Sequence, residues 1–341
     1  MGSSIKPGAV ITLAAGSGGR AGRDLIEKVI VPRLANPFLR PLSDAAVLPR
    51  VSGRLAFTTD TFVVSPLFFP GGDIGKLAVC GTVNDLAAAG ARPLYLSSGL
   101  VLEDGLPVGI LEKVLDSMGR WAKRAGVMVV TGDTKVVERG QADGLYVNTA
   151  GIGRLPPGVK ISPGRVRKGD AVVLSGPPGE HGLAILAARE KLAVSSQLKS
   201  DCRPLHRLAA AMVASGADLR FMRDPTRGGL AAVLNELVGG NDFGIEIEEK
   251  LLPERRKFRA ALEILGLDPL SLASEGVLLA VVPGGDAGRL LEAMRKDPAG
   301  RRARLIGRVT FGPRGQVVLK TSAGGARIID WPTSDPVPRI C

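Results

Sequence analysis

Pro156-Pro157-Gly158-Val159-Lys160-Ile161-Ser162-Pro163-Gly164, running on through Arg165-Val166-Arg167-Lys168 to Gly169-Asp170, divides the chain in two. Proline and glycine at this density interrupt both the helical and the strand hydrogen-bond pattern, so the stretch reads as a linker. Upstream, the apolar periodicity predicts a glycine-rich loop and a helix from about Arg23 to Leu34, ended by Pro37. It then predicts strands at 45–48, 55–59 and 94–102, with a helix over 74–89 between the last two. Gly90 stands just past that helix, the usual place for a residue that turns left-handed. Pro107 opens a further amphipathic helix toward Ala125, and buried strands follow at 127–131 and 145–152. Downstream, strands are expected at 171–175, 244–247, 277–282, 304–310 and 316–320, and helices near 182–190, 205–214, 229–238 and 286–296. The fold class is therefore α/β (α+β) in two domains. The units are 1–40, a loop and helix; 41–155, a first α/β domain; 156–330, a second; and 331–341, a mobile tail.

At 341 residues and 45% hydrophobic, the chain can build two cores of ordinary size. Its 45 glycines imply many tight turns and close backbone approaches, as α/β enzymes use for phosphates. Only 4% of residues are aromatic, too few for a base-stacking platform, and the net charge of +12 comes with no nucleic-acid-binding module. Arg255-Arg256-Lys257 with Arg259, and Arg301-Arg302 with Arg304 and Arg308, read as a solvated basic face and second as a surface for an acidic partner. Three cysteines without CxxC spacing argue against a zinc site or a disulfide framework and fit a reducing cytoplasm. No apolar run is long enough to span a bilayer, and neither Met1-Gly2-Ser3-Ser4 nor the C-terminus satisfies a lipidation pattern.

One of those cysteines is the last residue. Pro338-Arg339-Ile340-Cys341 closes a segment that also holds Pro332 and Pro336, and proline at this spacing favours an extended chain. Ten residues beyond Trp331 reach about 33 Å when extended. A thiol on such an arm suits a swinging acceptor of a small group; an ordinary frayed terminus is the plainer reading.

The second chemical signal is a row of aspartates. Asp44, Asp60, Asp85 and Asp133 each lie within or at the end of an apolar segment, where a lone carboxylate is costly to desolvate. Mg²⁺ and nucleotide phosphate would relieve that cost; turn capping is the alternative for Asp44 and Asp60. Gly16-Ser17-Gly18-Gly19 ahead of a helix offers backbone N–H groups to phosphate, though it matches neither the Walker pattern nor GxGxxG. Asp224-Pro225-Thr226-Arg227-Gly228-Gly229 opens a helix and is either a second anion-binding turn or an Asp cap. Cys80 and Cys202 read as structural. His181 and His206 lack a third ligand for a transition metal.

Taken with Asn84-Asp85-Leu86-Ala87, Gly132-Asp133-Thr134-Lys135, Asn148-Thr149-Ala150-Gly151, Gly179-Glu180-His181-Gly182, Ala273-Ser274-Glu275-Gly276 and the terminal Pro338-Arg339-Ile340-Cys341, these segments resemble the HypE family of nickel–iron hydrogenase maturation proteins. That family sits within the aminoimidazole ribonucleotide synthetase-like, or PurM-like, superfamily, and the resemblance covers nearly the whole chain. It implies an ATP-dependent dehydratase that turns a carbamoyl group on Cys341 into a thiocyanate, the source of cyanide ligands for the hydrogenase iron. It further implies ATP and Mg²⁺ as cofactors, a HypF-type carbamoyltransferase as donor, a HypC–HypD-type scaffold as acceptor, and a homodimer with ATP near its interface. Carried over, Cys341 is the carrier, Lys135 and Glu275 are candidate bases, and Lys135 is equally a plain ion-pair partner of Asp133 or Glu138. Gly16, Ser17, Gly18, Gly19, Asp44, Asp60, Thr61, Asn84, Asp85, Asp133, Asp224 and Arg227 are assigned to the nucleotide, with Asp44, Asp60, Asp85 and Asp133 to the metal. The chain departs from the family pattern at Ala15, where a histidine is usual, and at Ser43-Asp44, where paired aspartates are usual. The selenide-activating relatives carry a reactive Cys or Sec beside the glycine loop, absent here. Small-molecule kinases and synthetases of the superfamily, and a non-catalytic carrier, are the competing readings.

Overall fold

The computed structural model describes residues 8–192, 195–333 and 337–341; the Met1-Gly2-Ser3-Ser4 start and Pro336 lie outside the described residues. Strands β1 (Leu55–Phe62), β2 (Arg92–Glu103), β3 (Met128–Val137) and β4 (Leu145–Arg154) form a four-stranded sheet in the order β1-β4-β2-β3. Only β2 and β3 run parallel, and they are joined by a helical crossover. Helices α1 (Ile74–Ala88) and α2 (Val108–Ala125) cover one face. Asp73 caps α1 by accepting from Lys76 N–H at 2.9 Å, and Gly90 turns left-handed just past its end. Every residue of α1 except Asp85 is buried, because its far side packs on the second domain through Ala87 and Ala88. A helix buried all round is apolar all round, so the one open polar position on it is informative.

The second domain is a seven-stranded sheet. Its strands are β5 (Asp170–Leu174), β6 (Phe221–Arg223), β7 (Gly244–Glu248), β8 (Leu279–Pro283), β9 (Arg304–Thr310), β10 (Val317–Lys320) and β11 (Ala326–Ile328), in the order β11-β10-β7-β9-β5-β8-β6. Helices α3 (Glu180–Arg189), α4 (His206–Ala214), α5 (Gly229–Val238), α6 (Arg256–Leu265) and α7 (Ala287–Lys296) pack around it. β5 and β8 are buried along nearly their whole length, which explains their unbroken apolar sequence.

Two expectations are corrected. Residues 45–48 form no strand: Val47 is 89% exposed, and an apolar run without a pairing partner cannot close a ladder. The helix expected from Arg23 begins at Gly19 and reaches Leu34 through a π turn at Ile26–Ile30. The basic run Arg255-Arg256-Lys257 with Arg259 is a solvated face, as expected, on the first turn of α6, a helix that was not expected and whose apolar stripe buries Phe258 and Ala261 beneath the charges.

Candidate functional site

Strand parity sets the first cluster. Along β1, Leu55, Phe57, Thr59 and Thr61 face outward, whereas Thr58 and Asp60 face α1. On α1, Thr82 and Asp85 are three residues apart and share that helix face. The two pairs interlock: Thr82 Oγ1 donates to Asp60 Oδ2 at 3.3 Å and Thr58 Oγ1 donates to Asp85 Oδ2 at 2.8 Å. Asp224, from the turn after β6, and Glu275, just before β8, close the cluster from the second domain, at 5% and 2% exposure. Burial first, and Asp85 second, push the Asp60 carboxyl up to about 6 and that of Asp224 up to about 7. Burial, with Cys202 and Asp224 adding, lifts Glu275 well above the usual range, and its Oε2 has no hydrogen-bond partner. Exposed Arg227 is the nearby charge that holds Asp60 down. Buried carboxyls gathered with their pKa values raised by desolvation and by one another are a mark of a functional site.

Asn84 does not face this cleft, contrary to its assignment to the nucleotide. It is fully buried, donates to Arg203 O at 3.1 Å and Glu275 O at 3.2 Å, and accepts from Leu205 N–H at 2.7 Å. Its polar groups are committed to backbone across the domain boundary.

A second group lies elsewhere. Gly16, Gly18 and Gly19 line a cavity of about 780 Å³ together with Asp133 and Lys135, with Ser17 in the same turn. Gly16 is required there, since a Cβ would sit 2.6 Å from Val136 Cβ. Lys135 Nζ pairs with Asp133 Oδ2 at 2.9 Å, and both side chains are about two-thirds exposed. Cross-strand register aligns Thr61 with Asn148, Asn148 with Gly99, and Gly99 with Asp133. Asp133 thus shares the open face with Thr61, three strand spacings or about 14 Å away, while Asp60 is on the opposite face. Asp44 sits in an exposed bend. The four aspartates therefore do not form one ligand set within a chain, because parity sends them to different faces. Among the described residues no group of three or more His, Cys, Asp or Glu is disposed to hold a metal ion. Asp60 and Asp85 remain a pair suited to Mg²⁺, which takes one or two carboxylates and fills its other positions with water and phosphate oxygens.

The C-terminus, expected to be a mobile arm, is docked. Val63 N–H donates to Cys341 O at 2.9 Å and Ser65 N–H to Arg339 O at 3.3 Å, a short antiparallel pairing on the chain that leaves β1. Ile340 is 2% exposed, and its carbonyl accepts from His181 Nε2 at 2.9 Å. Arg189 donates to Arg339 O at 3.1 Å, and Arg339 pairs with Asp143 at 2.8 Å. Arg339 has φ +54°, a conformation that costs a non-glycine residue about 1 kcal/mol or more. The docked tail places Cys341 beside Val63, three residues along the chain from Asp60. Sequence reasoning missed Val63, Ser65, Arg189 and His181 as tail contacts. Three act through backbone or a surface-type side chain and leave no motif; for His181 the flanking Gly179 and Gly182 were the available signal.

The AIR synthase related protein N-terminal domain model matches residues 42–155, and the C-terminal domain model matches residues 167–320. The chain is 48% identical over 331 residues to the carbamoyl dehydratase HypE of Azotobacter vinelandii, covering 97% of each protein. It is similar, with a TM-score of 0.92 and 45% identity over 97% of this chain and 99% of that one, to a crystal structure of the hydrogenase maturation protein HypE in complex with ATP. A HypE–HypF complex structure is similar at a TM-score of 0.79 and 44% identity, over 90% of this chain and 99% of that one.

Proposed function

Because the chain belongs to the HypE family of carbamoyl dehydratases, built on paired AIR synthase-related domains, we propose that it uses ATP to dehydrate an S-carbamoyl group on Cys341 to a thiocyanate that supplies cyanide to a hydrogenase iron. The observation that carries this reading is the docking of the terminal cysteine, through backbone hydrogen bonds, against Val63, three residues along the chain from Asp60 of the carboxylate cluster. In the balanced reaction, the carbamoyl oxygen takes the γ-phosphoryl group of ATP and ADP leaves. The amide nitrogen then loses both protons, and the C–O bond breaks to release phosphate and leave the S–C≡N group. Phosphorylation is what makes a poor leaving oxygen a good one.

Glu275 is the proposed proton acceptor. It is buried, its Oε2 is unpartnered, and burial raises its pKa, so once ionised it is a stronger base than an exposed glutamate. Asp60 and Asp85 would hold Mg²⁺, which would offset charge on the phosphates and orient them. Arg227, whose charge acts on Asp60, would take phosphate oxygens, with Asp224 at the head of the same turn. The exposed Leu55 and Phe57, at 53% and 71%, leave an apolar patch at one end of the open sheet face. A second copy covering that face is the homodimer proposed here. It would bring the glycine loop and Lys135 of one copy toward the carboxylate cleft of the other, the arrangement in which Gly16–Gly19, Asp133 and Lys135 would serve the nucleotide. A HypF-type carbamoyltransferase is the proposed donor, consistent with the HypE–HypF complex of a relative, and a HypC–HypD-type scaffold is the proposed acceptor, in the cytoplasm. Among the described residues no helix is long and apolar enough to cross a membrane.

The test is intact mass of the protein and of its C-terminal peptide after incubation with the carbamoyl-donor system. Carbamoyl addition at Cys341, followed by loss of one water only when Mg-ATP is present, is expected. Carbamoylation that never dehydrates would overturn the enzyme reading in favour of a carrier.

A further inference from the structure

We propose that His181 is a positioning residue for the reaction: its Nε2–H fixes the register of the C-terminal segment by holding the carbonyl of Ile340, the residue next to the carrier thiol. The inference rests on the reading of Cys341 as the carrier but is read out by docking rather than by chemistry.

Four observations converge on it. The imidazole is fully buried, so the group it binds is shielded from water and its hydrogen bond is not exchanged for a solvent one. The ring is held on both sides. Nε2 lies 2.9 Å from Ile340 O, and Nδ1 lies 2.7 Å from Ser200 Oγ, which itself accepts from Cys202 N–H at 3.0 Å. A carbonyl can only accept, so Nε2 carries the proton and Nδ1 accepts from the serine hydroxyl, which leaves one tautomer. Burial, the largest influence, lowers the imidazole pKa to about 4, so the ring stays neutral and this pattern holds across physiological pH. Phe69 packs edge-on at 5.6 Å between ring centroids and limits rotation.

The surroundings are fitted to the tail and not only to the ring. A Cβ on Gly182, the next residue on α3, would lie 3.1 Å from Ala273 N and Leu272 Cβ and 3.3 Å from Ile340 Cδ1, so the small residue leaves room for the 272–273 backbone and for Ile340 together. The carbonyls of Arg339 and Cys341 are both taken by the 63–65 segment, and that of Ile340, pointing the other way, is taken by His181. In an extended chain a slip of one residue would present the wrong carbonyls to both sides at once. His181 therefore selects the one register that brings Cys341 to Val63. The same Ser200–Cys202 segment contains Asp201, whose Oδ1 accepts from Glu275 N–H at 3.1 Å, so the clasp and the proposed base are set by one loop.

The experiment is timed trimming of the folded full-length protein by a carboxypeptidase, without ATP or donor, followed by intact mass. Trimming requires the terminal residues to leave their site, so its rate follows the undocked population when redocking is fast. His181→Leu is expected to trim about tenfold faster than the native chain, whereas His181→Gln, whose amide can still donate, stays within about twofold of it. Single-turnover dehydration of the carbamoylated protein is expected to slow in His181→Leu and to recover in His181→Gln, with loading by the donor not slowed. Should His181→Leu fail to fold, Ser200→Ala, which removes the partner of Nδ1, is expected to accelerate trimming several-fold. Native trimming rates in His181→Leu, or equal acceleration in His181→Gln, would overturn the proposal. If trimming responds as expected but the native protein never dehydrates Cys341, the positioning role stands and the enzymatic reading falls.

Discussion

Replacing Glu180 by Gln should stabilise the protein increasingly as pH rises. Glu180 is 1% exposed at the start of α3, and burial, reinforced by Asp201, pushes its carboxyl up to about 7 from an ordinary 4.5. Arg255 Nε stands 3.1 Å from Oε1 but is not aligned as a hydrogen bond, so desolvation outweighs the ion pair. The folded state therefore holds this proton more tightly than the unfolded chain. The stabilisation is complete below about pH 4.5 and is lost as pH rises through 7. Integrating the two titrations from pH 5 to pH 8 gives a loss of about 2.5 kcal/mol, which Gln, neutral throughout, does not suffer. For a domain of this size that is a relative gain in Tm of roughly 5 to 10 °C. Thermal unfolding of both proteins in matched buffers from pH 5 to pH 8 provides the assay. A Tm difference that stays flat or shrinks with rising pH would show that Glu180 is charged in the folded state and refute the reasoning.

Further outcomes follow from the cleft and the tail. Asp85→Asn keeps an acceptor for Thr58 but removes the charge, and should reduce ATP-dependent loss of water from carbamoylated Cys341 by about a hundredfold or more while circular dichroism and Tm remain close to native. Ile340→Ala removes a buried side chain from the docked tail, an effect of about 2 to 5 kcal/mol in a core. Because the tail is a local unit, this should appear as at least tenfold faster carboxypeptidase trimming with little change in global Tm.

Much of the architecture was legible where punctuation was strong. Pro107 and Gly126 bracket α2, the 156–170 linker separates the two sheets, and α5 and β9 lie where their apolar periods put them. What failed lacked such marks: α6 hides its stripe under arginines, and β6 and β11 are too short to carry a period. For the site, Asp60 and Asp85 stood out as carboxylates embedded in apolar runs, Asp224 as the head of a helix-opening turn and Glu275 only through the family resemblance, and the fold brings them together. Asp133 gave the same signal, yet its strand position points it to the other side of the sheet. Sequence shows that a carboxylate lies in a strand; only the register shows which face it takes. The tail's docking was illegible for a different reason, since its bonds run mostly through backbone groups that every residue has.

Asn84 sits one residue before Asp85 and is bound to backbone on the far side of the domain boundary. A protein that closed its active site by bending between domains would need to break three hydrogen bonds at that point, two of them buried, in every cycle. With the halves riveted there, the frame that holds the nucleotide behaves as a fixed jig. Exchange with other proteins then falls to the terminal segment, whose docking carries one strained residue, so turnover would be timed by how often a short terminal peptide lets go.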